Sequence, residues 1–178
     1  MEKLNRLSRE LVCKGSVIDY YHDTIELPDG KKVKYDLVDH KGAAAVVPVL
    51  DDGRLVMVRQ YRNALDRETI EIPAGGLNGR EEPTLDAAKR ELSEETGFIS
   101  DNLELLISIK TTVAFCNERI DIYVAKDLKP GNQHLDDGEY VEYEAYTVDE
   151  LIEKIYRLEI QDSKTICAIF AYKEKYCK

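Results

Sequence analysis

Glu91, Glu94 and Glu95 stand at i, i+3 and i+4, so a helix drawn through them presents three carboxylates on one face. Like charges placed this way repel by roughly 0.2–0.5 kcal/mol per pair on an isolated helix. Divalent cations held by the acids remove that cost, and hard oxygen ligands suit Mg²⁺. A divalent cation so held can neutralise anionic oxygens and activate a bound water. A solvated acidic helix face is the competing explanation for three glutamates alone.

The surrounding spacing narrows the choice. From Gly76, five residues lead to Glu82, and seven more lead to Arg90-Glu91-Leu92-Ser93-Glu94-Glu95-Thr96-Gly97-Phe98. This resembles, position for position, the Nudix hydrolase signature G-x5-E-x7-R-E-U-x-E-E-x-G-U, where U is aliphatic or aromatic. The resemblance implies metal binding by Glu91, Glu94 and Glu95, with Mg²⁺ as cofactor and Mn²⁺ as a substitute. It also implies a backbone carbonyl ligand from the loop before the helix. The strict count selects Gly76, whereas Pro73-Ala74-Gly75 points to the Gly75 carbonyl, with Ala74 as the substitute. Arg90 is expected to ion-pair with a neighbouring carboxylate, Glu91 or Glu82, and fix the geometry.

Upstream stretches are similar to the ADP-ribose pyrophosphatase branch of that family: Leu27 to Lys32, His40-Lys41-Gly42-Ala43, Arg59-Gln60-Tyr61-Arg62 and Glu71-Ile72-Pro73-Ala74-Gly75. In that branch the general base comes from an acidic loop before a late strand. The matching loop here is Asp136-Asp137-Gly138-Glu139, with Glu139 favoured and Asp137 in reserve. The catalytic candidates are therefore Glu139, Arg90 and Glu94. Arg62 is expected to clamp the diphosphate, where a guanidinium offers bidentate donors. The branch carries a run like S-P-G-F-x-D-E downstream of the signature. Here the corresponding run is Thr112-Val113-Ala114-Phe115-Cys116-Asn117-Glu118, which keeps Phe115 and Glu118 as substrate contacts but loses the proline, glycine and aspartate. Tyr20, beside Tyr21, is the aromatic expected to stack on a base. The implied reaction is cleavage of ADP-ribose to AMP and ribose 5-phosphate. Another nucleoside diphosphate sugar, a nucleoside triphosphate and a non-catalytic nucleotide-sensing role are the alternatives.

The acids need a scaffold. Thr84 is expected to cap the helix that carries them, with Gly97 closing it in a left-handed conformation and Leu85, Ala88 and Leu92 forming its apolar face. Ala43 to Leu50 reads as a buried strand paired with Leu55 to Tyr61 through the turn Asp51-Asp52-Gly53. Thr69 to Ile72, Leu103 to Ile109, Arg119 to Ala125 and Tyr140 to Val148 supply further strands. Thr147 and Glu150 form a capping box for a helix ending near Leu158, and a last helix over about 163–176 is expected to bury Ile166, Ile169 and Phe170. Residues 1–42 are strand-rich, with short patterns at Val17 to Tyr21, Asp23 to Leu27 and Lys31 to Val38. Strands outnumber helices, which predicts an α+β or layered α/β/α domain; the resemblance implies a mixed sheet sandwiched between helices over 43–178, preceded by the 1–42 strand segment. The resemblance implies that this segment exchanges between two subunits of a homodimer.

Composition excludes other classes. The net charge of −10 argues against nucleic acid or an anionic membrane as partner. The longest apolar run, Gly42 to Leu50, is far too short to span a bilayer, and the first ten residues lack a signal-peptide core. Cys13, Cys116, Cys167 and Cys177 show neither CxxC nor zinc spacing, which predicts free thiols and a cytoplasmic protein.

Overall fold

The structure, a computed structural model, describes residues 4–135, 138 and 140–177. The chain divides into two compact units, 1–42 with 110–119, and 43–109 with 120–178. The strand segment expected at 1–42 thus carries with it the run containing Phe115 and Glu118.

In the first unit, β1 (Asn5–Lys14), β2 (Ile18–Glu26) and β3 (Lys32–His40) form an antiparallel sheet in that order. The two short patterns expected between Val17 and Leu27 are one continuous strand. Leu4, Leu7, Leu11 and Val12 lie exposed on or beside β1, which follows no simple inside-outside alternation and so carries no period-2 signal in the sequence. Asp23 is buried and held by a bidentate fork from Arg9 at 2.7 Å per bond. The 110–119 segment is tied to the end of β3. Val38 donates its N–H to the Phe115 carbonyl at 2.7 Å, and Asn117 returns its N–H to the Val38 carbonyl at 3.2 Å.

The second unit opens with β4 (Ala43–Pro48), β5 (Leu55–Arg62), β6 (Arg67–Glu71) and β7 (Ala74–Gly76), followed by α1 (Thr84–Thr96) and β8 (Phe98–Ile99). It continues with β9 (Asn102–Lys110), β10 (Arg119–Lys126), β11 (Lys129–Pro130), β12 (Val141–Tyr146), α2 (Val148–Tyr156) and α3 (Ser163–Tyr176). One sheet has the order β7-β4-β10-β9, another β12-β5-β6, and β8 pairs with β11. β4 runs parallel to β10 and antiparallel to β7, so the sheet is mixed. Every residue of β4 is buried, which explains its uninterrupted apolar run. Ala44 packs with Ala87 and Ala88 of α1, and Val46 with Leu92 of the same helix. Ala43, Ala45 and Val47 face the other way, into a core shared with Leu151 of α2 and with Ala168, Ile169 and Tyr172 of α3. Helices thus cover both faces of β4.

Several local expectations need correction. The Asp51-Asp52-Gly53 turn forms, with Gly53 at φ 84, but β4 and β5 then diverge into different sheets, and a single bridge, Val49 to Leu55, links the strands at that turn. Burial on both faces of β4 favours the parallel partner β10 over the sequence neighbour. Thr84 does not cap α1: Pro83 occupies that position, and the Thr84 hydroxyl bonds the Asp121 carboxylate at 2.9 Å. Leu85 is exposed, and the apolar face is Ala87, Ala88 and Leu92. On α3 Phe170 is exposed and Tyr172 takes the inner place. The capping box of Thr147 and Glu150 and the left-handed Gly97 (φ 72) are present as expected.

Candidate active site on α1 and β7

α1 faces the strand end that precedes it. Glu91 and Glu95, one turn apart, are buried on that side, whereas Glu94 is half-buried. Glu95 accepts a hydrogen bond from the Ala74 N–H at 3.0 Å. Glu91 lies directly over Gly75. A Cβ built on that glycine would fall 2.1 Å from Glu91 Oε1 and 2.5 Å from Oε2, so only glycine leaves room for the carboxylate. The same construction at Gly76 meets nothing within 4 Å. Gly75 is therefore the residue the acid cluster requires to be bare.

Arg90 binds the acids together. Its Nη1 donates to Glu91 Oε1 at 2.6 Å and to Glu94 Oε2 at 2.8 Å, and Nη2 donates to the Gly76 carbonyl at 3.1 Å. Among the described residues its buried Nε has no hydrogen-bond acceptor, but it faces Glu82 Oε1 at 3.6 Å. Both carboxylates expected from the spacing are thus its partners. Burial alone would lower the Arg90 pKa, but the Glu91 charge and the bonds to Glu94 and Glu91 outweigh it and raise the pKa. Glu82 is held in turn by the Asn78 N–H at 2.5 Å.

This donor set fits a divalent cation. Buried carboxylate oxygens beside a strand end stripped of side chains offer hard ligands in a small space. Among the described residues no three carboxylates, imidazoles or thiols stand close enough together to hold a metal ion as they lie.

Arg62, at the end of β5, forks onto Glu71 of β6, donating from Nε at 2.8 Å and from Nη2 at 2.6 Å. The Arg62 pKa is raised chiefly by that bond, against burial, and Glu95 adds to the rise, so the guanidinium lies within the field of the acid cluster. Glu71 is 3% exposed. Burial would push its carboxyl up, but bonds from Arg62, Lys164 and Thr69 and the Lys164 charge hold it down at about 2. Lys164, the second residue of α3, is itself buried and also bonds Asp162 at 3.0 Å. In the sequence Glu71 stands out only as part of the Glu71-to-Gly75 motif, and Lys164 belongs to no motif. A lysine in the first turn of a helix carries no local sign of a partner 93 positions away.

Phe115, Glu118 and Tyr20 all belong to the first unit. Phe115 is half exposed, and the Glu118 carboxylate accepts from the Thr111 hydroxyl at 2.8 Å. The Tyr20 hydroxyl donates to Asp36 at 2.7 Å and its ring meets His22 edge-on. Glu139, Asp136 and Asp137 lie outside the described residues.

A family model described as the NUDIX domain matches residues 39–169. The chain belongs to the Nudix family. Among its Nudix relatives, an ADP-ribose pyrophosphatase of Bacillus subtilis is 38% identical over 92% of this chain and 89% of its own length. A protein described as a methanol dehydrogenase activator, from Bacillus methanolicus, is 40% identical over the same shares. An ADP-ribose pyrophosphatase of Mycobacterium tuberculosis is 31% identical over 93% of this chain and 81% of its own. A crystal structure of an ADP compounds hydrolase superposes with a TM-score of 0.86 over 98% of this chain and 94% of that one, at 22% identity. The α+β Nudix fold expected from the signature is the fold observed. No helix among the described residues is long and apolar enough to cross a membrane.

Proposed function

We propose that the chain hydrolyses the diphosphate bond of a nucleoside diphosphate sugar, with ADP-ribose, cleaved to AMP and ribose 5-phosphate, as its leading substrate. The observation that carries this reading is the pair of buried carboxylates, Glu91 and Glu95, seated against the bare backbone of Gly75. Two relatives at 38% and 31% identity that are named ADP-ribose pyrophosphatases support the substrate.

Glu91, Glu94 and Glu95, with the carbonyl of Gly75 or Ala74, would hold Mg²⁺, for which Mn²⁺ substitutes. The chemistry such an ion would supply is neutralisation of phosphate oxygens, a lowered pKa for a ligated water and stabilisation of the departing phosphate. Arg90 keeps Glu91 and Glu94 in register through the two bonds from Nη1. Arg62 presents a guanidinium to the diphosphate, with two donors fixed on Glu71 so that its plane is set before substrate arrives. Glu139, with Asp137 in reserve, is assigned the proton from the attacking water. Tyr20, Phe115 and Glu118 are assigned to the nucleotide. The assignment rests on an aromatic face for stacking, the half-exposed Phe115 ring and a carboxylate that accepts from sugar hydroxyls. The working form is a cytoplasmic homodimer. Free thiols at Cys13, Cys116, Cys167 and Cys177 support a reducing compartment, and the exposed apolar residues of β1 support self-association.

The deciding experiment is a phosphate-release assay, coupled to a phosphatase, across ADP-ribose, other sugar nucleotides and nucleoside triphosphates, with and without chelator. Chelator-sensitive turnover led by ADP-ribose is expected. No turnover of any diphosphate sugar with Mg²⁺ or Mn²⁺ defeats the proposal. The relative from Bacillus methanolicus, equally similar, gives reason to add one arm: methanol dehydrogenase turnover with and without this chain.

A further inference from the structure

We propose that Lys164 is a positioning residue for substrate binding, acting through Glu71 to set the place of the Arg62 guanidinium. The inference rests on the reading that Arg62 binds the diphosphate. Glu71 is shared. Its two oxygens take the fork from Arg62, the Thr69 hydroxyl at 2.6 Å and the Lys164 ammonium. Arg62 and Lys164 thus meet on one buried carboxylate, with Asp162 balancing the second cation, so the place of Glu71, and of the guanidinium forked onto it, is set from the Lys164 side as well. Lys164 is itself fixed from below. Asp162 accepts from Lys164, from the Thr165 N–H at 3.0 Å and from the Thr165 hydroxyl at 2.6 Å. The same hydroxyl accepts the Ile72 N–H at 3.0 Å. The first turn of α3 therefore grips Glu71 and Ile72, and two residues on Ala74 bonds Glu95. The segment that aims Arg62 is the one that seats the acid cluster.

Stability alone is a weak reason for such an arrangement. Buried ion clusters commonly contribute no more than well-packed apolar side chains of the same volume. A cluster that holds a guanidinium rigid reduces the ordering cost when substrate binds.

The test compares Lys164→Met, Arg62→Ala and the double variant by steady-state kinetics on the substrate turned over by the native enzyme, and by calorimetric binding of ADP. Lys164→Met is expected to raise KM and the ADP Kd about tenfold, with kcat within about threefold, because the loss is in ground-state binding. Mn²⁺ binding, read by electron paramagnetic resonance, is expected to stay at the native level. In the double variant Lys164→Met is expected to add nothing to Arg62→Ala, since it acts through that residue. Additive effects overturn the proposal. So does an unchanged KM in Lys164→Met when Arg62→Ala raises it, an outcome that leaves the Arg62 assignment standing. An unchanged KM and Kd in Arg62→Ala refutes that assignment itself, and the inference with it. If Lys164→Met does not fold, Glu71→Gln with Lys164→Met removes both charges together, and the same tenfold rise is expected. An unchanged KM there also overturns the proposal.

Discussion

Replacing Gly75 by alanine probes the acid cluster most directly. A Cβ at that position falls 2.1 Å from Glu91 Oε1, whereas ordinary van der Waals contact begins at 3.4 Å, so the carboxylate must withdraw by 3.4 − 2.1 = 1.3 Å. Gly75 has no left-handed φ, so its backbone accepts alanine without torsional strain. The obstruction is the far end of a flexible side chain, and the fold absorbs it at about 1–3 kcal/mol, seen as a fall in Tm of about 2–4 °C per kcal/mol. Metal coordination is far less forgiving, with ligand distances held to about 0.2 Å. A displacement several times larger, which also pulls Glu91 from the 2.6 Å bond to Arg90, is expected to weaken Mn²⁺ binding and lower turnover about 10–100-fold. Gly76→Ala is the matched control, because nothing lies within 4 Å of its Cβ. Mn²⁺ titrations followed by electron paramagnetic resonance, with Mg²⁺ activation curves alongside, read the difference. A Gly75→Ala protein that titrates like Gly76→Ala would refute the placement of the metal over Gly75.

Further perturbations follow from individual contacts. Glu95→Gln keeps an oxygen for the Ala74 N–H, so the melting curve should barely move while turnover falls at least about 100-fold; near-native kcat excludes Glu95 as a ligand. Glu71 has its folded pKa lowered from the usual 4.5 to about 2, so its contribution is complete above pH 4.5 and is lost as pH falls toward 2. The shift corresponds to about 3 kcal/mol. Denaturant melts between pH 5 and 2.5 should therefore show a steep acid loss that flattens in Glu71→Gln, and an unchanged acid limb contradicts the assignment. Asn117 accepts the His40 N–H at 2.8 Å and donates its amide to Asp39. Asn117→Asp exchanges that donor for a second carboxylate, costing about 1–3 kcal/mol and loosening the 110–119 segment, which limited proteolysis at neutral pH should detect.

Asn117 also shows how a departure from the family run finds its reason only in the fold. Proline, glycine and aspartate are missing from that run, yet the segment is held against β3 by backbone bonds at Val38 and by an amide that an aspartate could not supply. The hairpin expected between Ala43 and Tyr61 shows the reverse case. Its turn residues are where they should be, and Gly53 adopts the required positive φ. The strands part because β4 must be buried on both faces, and that demand involves residues 77 positions away.

Local chemistry legible in one dimension covers the α1 acids, the left-handed Gly97, the capping box at Thr147, and the pairing of Arg90 with its neighbours. Each depends on spacings of a few residues, where helical geometry dictates which groups meet. Tertiary structure alone decided that Gly75 rather than Gly76 must be bare, that Leu85 faces outward, and that Arg62 shares a buried glutamate with Lys164. Those facts depend on which strand end and which helix turn converge after the chain has crossed its sheets. Such convergence is set by the packing of distant apolar faces and leaves no periodic trace near the charged residues themselves.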